Sequence, residues 1–184
     1  PYVLIQVAYD KPLSRFENQD AIQAFVSDMR VVTKNLATRY KVIFAPHVLD
    51  DVALSQEIAN GIPNAEVWDF GYYAFDHSDQ AVGYYQHAEF AIAMRGHGQI
   101  VPICFNTPVI ALENHPKHRG LMENLDLLDF NVKINDESFQ TNLFRAIEKL
   151  ESQSDSLINR YRIINQELRR NTEDTFKDIA VKIR

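Results

Sequence analysis

At 184 residues, 46% hydrophobic and 24% charged, the chain is long enough to bury one sizeable core and too apolar to be disordered. A formal charge of −6 excludes a general nucleic-acid binder, which needs a basic surface to displace counterions from phosphates; any anion site must be local. The single cysteine, Cys104, excludes an internal disulfide framework and a multi-cysteine metal centre, and points to a reducing, cytoplasmic setting.

The chain opens on PYVLIQV, without an initiator methionine and already inside a β-prone apolar run. That is how an excised domain begins, so an N-terminal portion is expected elsewhere. No apolar run reaches membrane-spanning length. DKPLSRFE then supplies a turn and the capping-box pattern Ser14-x-x-Glu17. Ile22, Phe25, Val26, Met29, Val32 and Leu36 recur at three and four, which marks the buried face of the helix that follows. KVIFAPHV reads as a second strand closed by His47, with Asp50 and Asp51 placed to cap the helix VALSQEIAN up to Gly61.

The unit repeats. AEVWDF, EFAIAM and PVIAL read as strands three to five, SDQAVGYYQHA, GQIVPICF and PKHRGLMENL as the helices between them, and DFNVKI as a sixth, edge strand. This alternation predicts an α/β, Rossmann-like parallel sheet with helices on both faces over residues 1–150. From Asp136 the pattern is helical only, with Leu157, Tyr161, Ile164 and Leu168 on one face. A C-terminal helical extension over 151–184 is expected to pack on the sheet, on a missing half, or on a second copy as a homo-oligomer.

AIAMRGHGQIVP holds the most informative stretch. In a parallel sheet, ligands bind beyond the carboxyl ends of the strands, where the next helix presents free N–H groups. Arg95 stands at such an edge, Gly96 and Gly98 allow close backbone approach, and His97 is expected to point into the same crevice. A guanidinium suits a carboxylate or phosphate, and an imidazole donates to an anion or moves a proton. Against this stands a plain structural role, with Arg95 paired to an internal acid and His97 serving a loop. His47 closes a strand at the same edge and is a further candidate to line the cleft, or else a loop histidine that caps the Asp50 helix. His115 and His118 flank Lys117, but no carboxylate triad accompanies them and no metal is expected. Trp68 reads as core, and Cys104 as inert in an apolar helix.

The segment AEFAIAMRGHGQIVPICFNTPVIALENHPKHRGLMENLDL resembles the signature region of the polysaccharide pyruvyl transferases: a strand, Arg-x-His, a helix, a second strand, then a lysine and a glycine. Arg95 and His97 match the Arg-x-His, Lys117 and Gly120 the Lys-x-x-Gly, and APHVLDD the earlier His and Asp. Gly96 departs from the larger apolar residue usual between the arginine and histidine. The resemblance implies the C-terminal, donor-binding half of a two-domain enzyme built like the B-type glycosyltransferases. Its donor would be phosphoenolpyruvate, with no other cofactor. Its acceptor would be a sugar of a bacterial capsule or exopolysaccharide, bridged as a pyruvate ketal at the cytoplasmic face of the membrane, with peripheral membrane association through a lipid-linked acceptor. It also implies that Arg95 and Lys117 hold the donor's charge and that His97 supplies a proton or stabilises the departing phosphate. Two other readings stay open: a nucleotide-sugar glycosyltransferase of the same architecture, and a non-catalytic sensor or assembly domain. No Asp-x-Asp pair occurs to support a metal-dependent sugar donor.

Overall fold

Short aliphatic runs build the sheet. The computed structural model describes residues 1–182. Strands β1 (Tyr2–Gln6), β2 (Lys41–Phe44), β3 (Ala65–Val67), β4 (Ala91–Ala93), β5 (Val109–Glu113) and β6 (Asn131–Lys133) form one sheet in the order β3-β2-β1-β4-β5-β6, every pair parallel. The fold is α/β and Rossmann-like. Val3, Leu4, Ile5, Ile92, Ile110 and Leu112 have no measurable exposure, as expected of central parallel strands covered on both faces. The chain runs outward from β1 to β3, then returns to lay β4 on the other side of β1. That reversal opens a crevice at the carboxyl ends of β1 and β4, the place where such sheets take ligands.

The helices are α1 (Pro12–Arg15), α2 (Gln19–Leu36), α3 (Asp50–Ala59), α4 (Ser78–His87), α5 (Gly96–Cys104), α6 (Pro116–Asn124) and α7 (Phe139–Lys182), with a π-helical turn at Tyr72–Asp76 and a 3-10 turn at Leu128–Phe130. All six residues of the predicted stripe on α2 are buried. The capping box does not form. Ser14 lies in the one-turn α1, its Oγ donating to the Lys11 carbonyl at 2.8 Å, and α2 is capped by Asn18, whose side chain accepts from Ala21 N at 2.9 Å. Pro12 starts a separate turn, and Phe16, 2% exposed, ties the chain into the core between the two helices.

Three further boundaries differ from expectation. Asp50 and Asp51 lie inside the first turn of α3 rather than ahead of it. Helix α5 starts at Gly96, two residues before the predicted GQIVPICF, so Gly96 and His97 belong to its first turn. The C-terminal extension is not a separate element: α7 passes position 150 unbroken, with Leu157 and Tyr161 buried in the same core as the sheet. It packs on β5, β6, α2 and α5. Its stripe then leaves the domain: Ile164 is half-buried and Leu168 is 52% exposed. Cys104 is exposed at the last turn of α5, not sunk in an apolar face. No helix among the described residues is long and apolar enough to cross a membrane.

Candidate functional site

Four neighbouring strands deliver polar side chains to their carboxyl edge. Gln6 ends β1 and Asp10 follows it; His47 and Asp51 follow β2; Arg95 and His97 follow β4; Asn114 and Lys117 follow β5. Gln6 is 1% exposed and ties three of these segments together. Its Oε1 accepts from Arg95 N at 2.7 Å and Met94 N at 3.2 Å, and its Nε2 donates to the Val7 carbonyl at 2.6 Å and to Asp51 Oδ2 at 3.3 Å.

Arg95 is engaged internally. Its Nε donates to Asp51 Oδ2 at 2.8 Å and its Nη2 to Asp51 Oδ1 at 2.7 Å, a bidentate pair, while Nη2 also reaches Asp10. Asp10 in turn binds Arg15 at 2.6 Å. Asp51, with no exposed side-chain surface, also accepts from the backbone N–H groups of Tyr9, His47 and Val48. The cluster Arg15–Asp10–Arg95–Asp51 is therefore neutral. Burial opposes the charge on Arg95, and the two carboxylates more than compensate. Burial likewise raises the Asp10 carboxyl, but Arg15 and Arg95 outweigh it and hold the group below its ordinary range. This corrects the expected arrangement, in which guanidinium and imidazole converge on one anion. Asp51 takes the Nε–Nη2 edge of the guanidinium and Asp10 shares Nη2, so Arg95 braces the ends of β1, β2 and β4.

His97 stands apart from that brace. It is exposed on the first turn of α5 and lines a cavity of about 340 Å³ with His47, Trp68, Tyr73, Tyr85 and Val101. His47 Nε2 and the Tyr85 hydroxyl lie 2.8 Å apart. Burial lowers the His47 imidazole to about 4, with Asp51 pulling against that and Arg95 and His97 adding to it. His47 is thus neutral near pH 7 and shares a hydrogen bond with Tyr85, whose phenol burial pushes well above its ordinary range. Trp68 is 7% exposed, as the sequence suggests, and Tyr73 stacks on it with ring centroids 4.7 Å apart. The amino end of α5 closes this side. The Arg95 carbonyl receives the first intrahelical bond from Gln99 N, so the N–H groups of Gly96, His97 and Gly98 precede the helical ladder.

Neither of the two glycines has a positive φ. A Cβ on Gly98 would meet the Ala93 Cβ at 3.0 Å and Gln6 Oε1 at 3.4 Å, so Gly98 lets α5 pack against β4 rather than admitting a ligand. A Cβ on Gly96 would meet nothing within 4 Å.

Lys117 is exposed at the start of α6, one strand further along, and does not line the His97 cavity. His115 caps α6 by accepting from Lys117 N at 3.2 Å. Burial lowers the His118 imidazole below its ordinary value. Nearby, both polar side-chain atoms of Asn114 are buried without a partner among the described residues. No group of three or more His, Cys, Asp or Glu side chains suited to a metal ion occurs among the described residues.

The family model described as "Polysaccharide pyruvyl transferase" matches residues 22–116, just over half of the chain. The chain belongs to the polysaccharide pyruvyl transferase family. The matched segment of this pyruvyl transferase family member carries His47, Asp51, Tyr85, Arg95 and His97; Asp10 and Arg15 precede it, and Lys117 follows by one residue. No curated protein matches the chain. Gln6 and Asp10 were not singled out from the sequence. Gln6 did carry a signal, as the one amide in an otherwise apolar central strand. Asp10 is set by contacts across the sheet, which spacing does not encode.

Proposed function

We propose that this chain is the donor-binding half of an enzyme that transfers a pyruvyl group from phosphoenolpyruvate to a sugar of a bacterial polysaccharide or its precursor. The supporting observation is the cavity at the carboxyl edge of the sheet, where His97, the amino end of α5 and the His47–Tyr85 pair meet inside the family-matched segment. Phosphoenolpyruvate is a small dianion or trianion. In this reading its oxygens lie against the N–H groups of the first turn of α5, which need no arginine to favour negative charge. Arg95 acts one step removed, by holding Asp51 and through it the loop that presents His47.

The reaction divides into two steps. A proton is added to the donor's methylene carbon as one sugar hydroxyl attacks the adjacent carbon and loses its own proton. The second hydroxyl then attacks that same carbon, loses its proton, and phosphate departs with the electrons of the C–O bond. His97 is the group assigned to deliver the first proton, and it is accessible enough to exchange protons with solvent between turnovers. His47, neutral near pH 7, orients the Tyr85 hydroxyl at the cavity wall.

Ligand-induced thermal stabilisation separates this reading from that of a nucleotide-sugar transferase. Phosphoenolpyruvate at about a hundred times its Kd stabilises by roughly 2.7 kcal/mol, enough to raise the melting temperature by several degrees. Nucleoside diphosphates should give no shift, and His97→Ala should abolish the effect of phosphoenolpyruvate. Stabilisation by the nucleotide alone would favour the sugar-nucleotide reading instead.

A further inference from the structure

The outer part of α7 projects from the domain: every residue from Gln166 to Ala180 is exposed, about 22 Å of helix. A helix with no packed face is marginal in water, and its stability normally comes from burying one. This one has a face to bury. At 100° per residue Ile164, Leu168, Thr172, Phe176 and Ile179 fall within about 120° of one another. Three of them are large and open, with Leu168 at 52%, Phe176 at 67% and Ile179 at 45% exposure.

The charges beside that face point to its occupant. Arg169 and Glu173 lie on the same flank of the stripe, and among the described residues neither forms an ion pair within its own helix. Two antiparallel copies of a helix meet same flank to same flank. With a two-fold axis near residue 171, Arg169 of each copy comes level with Glu173 of the other, Leu168 packs beside Phe176, and Ile164 beside Ile179. A parallel pair joins opposite flanks and sets Glu173 against Asp178, like against like. The antiparallel arrangement also carries the acidic 173–178 stretch toward a groove beside the stripe, lined by Cys104, Asn106, Arg162, Asn165 and Arg169.

We infer that the projecting segment of α7 is a homodimer interface, in which two copies of this chain pair antiparallel about residue 171 through the Leu168–Phe176 stripe and reciprocal Arg169–Glu173 contacts. Light scattering and sedimentation equilibrium on the full chain test it. The wild-type mass should be that of a dimer, and Leu168→Glu should give a monomer with an unchanged thermal unfolding midpoint at low concentration, because the side chain is already in water. Arg169→Glu and Glu173→Arg should each weaken dimerisation by about tenfold or more, and the double variant should recover most of the loss. A wild-type monomer at all accessible concentrations, a dimer indifferent to Leu168→Glu, or a double variant no better than the singles would each overturn the assignment.

Discussion

His47 is held neutral, with the Tyr85 hydroxyl 2.8 Å from its Nε2, and its imidazole is lowered to about 4, chiefly by burial. In the unfolded chain a histidine protonates near 6.5. Between those values the unfolded state binds a proton that the native state refuses, so stability is full above about 6.5 and is lost as the pH falls toward 4. The loss amounts to about 3 kcal/mol at its limit. His47→Gln should flatten the pH dependence of the urea-unfolding free energy in that window, and the native imidazole resonance should titrate near 4. A titration near 6.5 with equal pH slopes in both proteins would show that His47 is not confined in this way. The sequence placed His47 and Arg95 correctly at strand ends, because strand ends follow from the apolar period. It did not reveal that Asp51 and Asp10 share the guanidinium. Asp51 reads as a helix cap from its neighbours, and only the register of β2 beside β1 and β1 beside β4 brings it across to Arg95.

Among the elements, α5 shows best where sequence reasoning stopped. The sequence starts this helix at Gly98, because each glycine costs helix stability. In the structure they form the first turn, where a short residue is tolerated and where Gly98 admits the strand beneath. The two glycines should therefore respond oppositely to alanine. Gly96→Ala, facing open space, should be neutral or stabilise by about 0.5–1 kcal/mol, while Gly98→Ala should destabilise by about 1–3 kcal/mol through its contacts with Ala93 and Gln6. Urea unfolding of both variants is sufficient, and equal effects would mean that the packing of α5 on β4 is misjudged. The C-terminal helix was legible in type but not in extent. The domain boundary expected at 150 is not a break, because burial of Leu157 and Tyr161 on the sheet carries the helix through.

For the whole molecule, the alternation of apolar runs and amphipathic helices contained the fold class, and the strand order follows from right-handed crossovers and one reversal beside β1. An acidic chain of this kind can serve a small anion only where local dipoles prevail. In the proposed reading that place is the amino end of α5, beside the neutral ion cluster at the carboxyl ends of β1, β2 and β4. Function turns on whether the cavity next to that cluster accepts the three-carbon donor. The most direct measurement is an NMR titration of the histidine ring resonances with phosphoenolpyruvate. Saturable shifts at His97 and His47, with His77 and His87 unmoved, are the expected result. Shifts confined to His115 and His118 beside Lys117, or none at concentrations that saturate the thermal response, would contradict it.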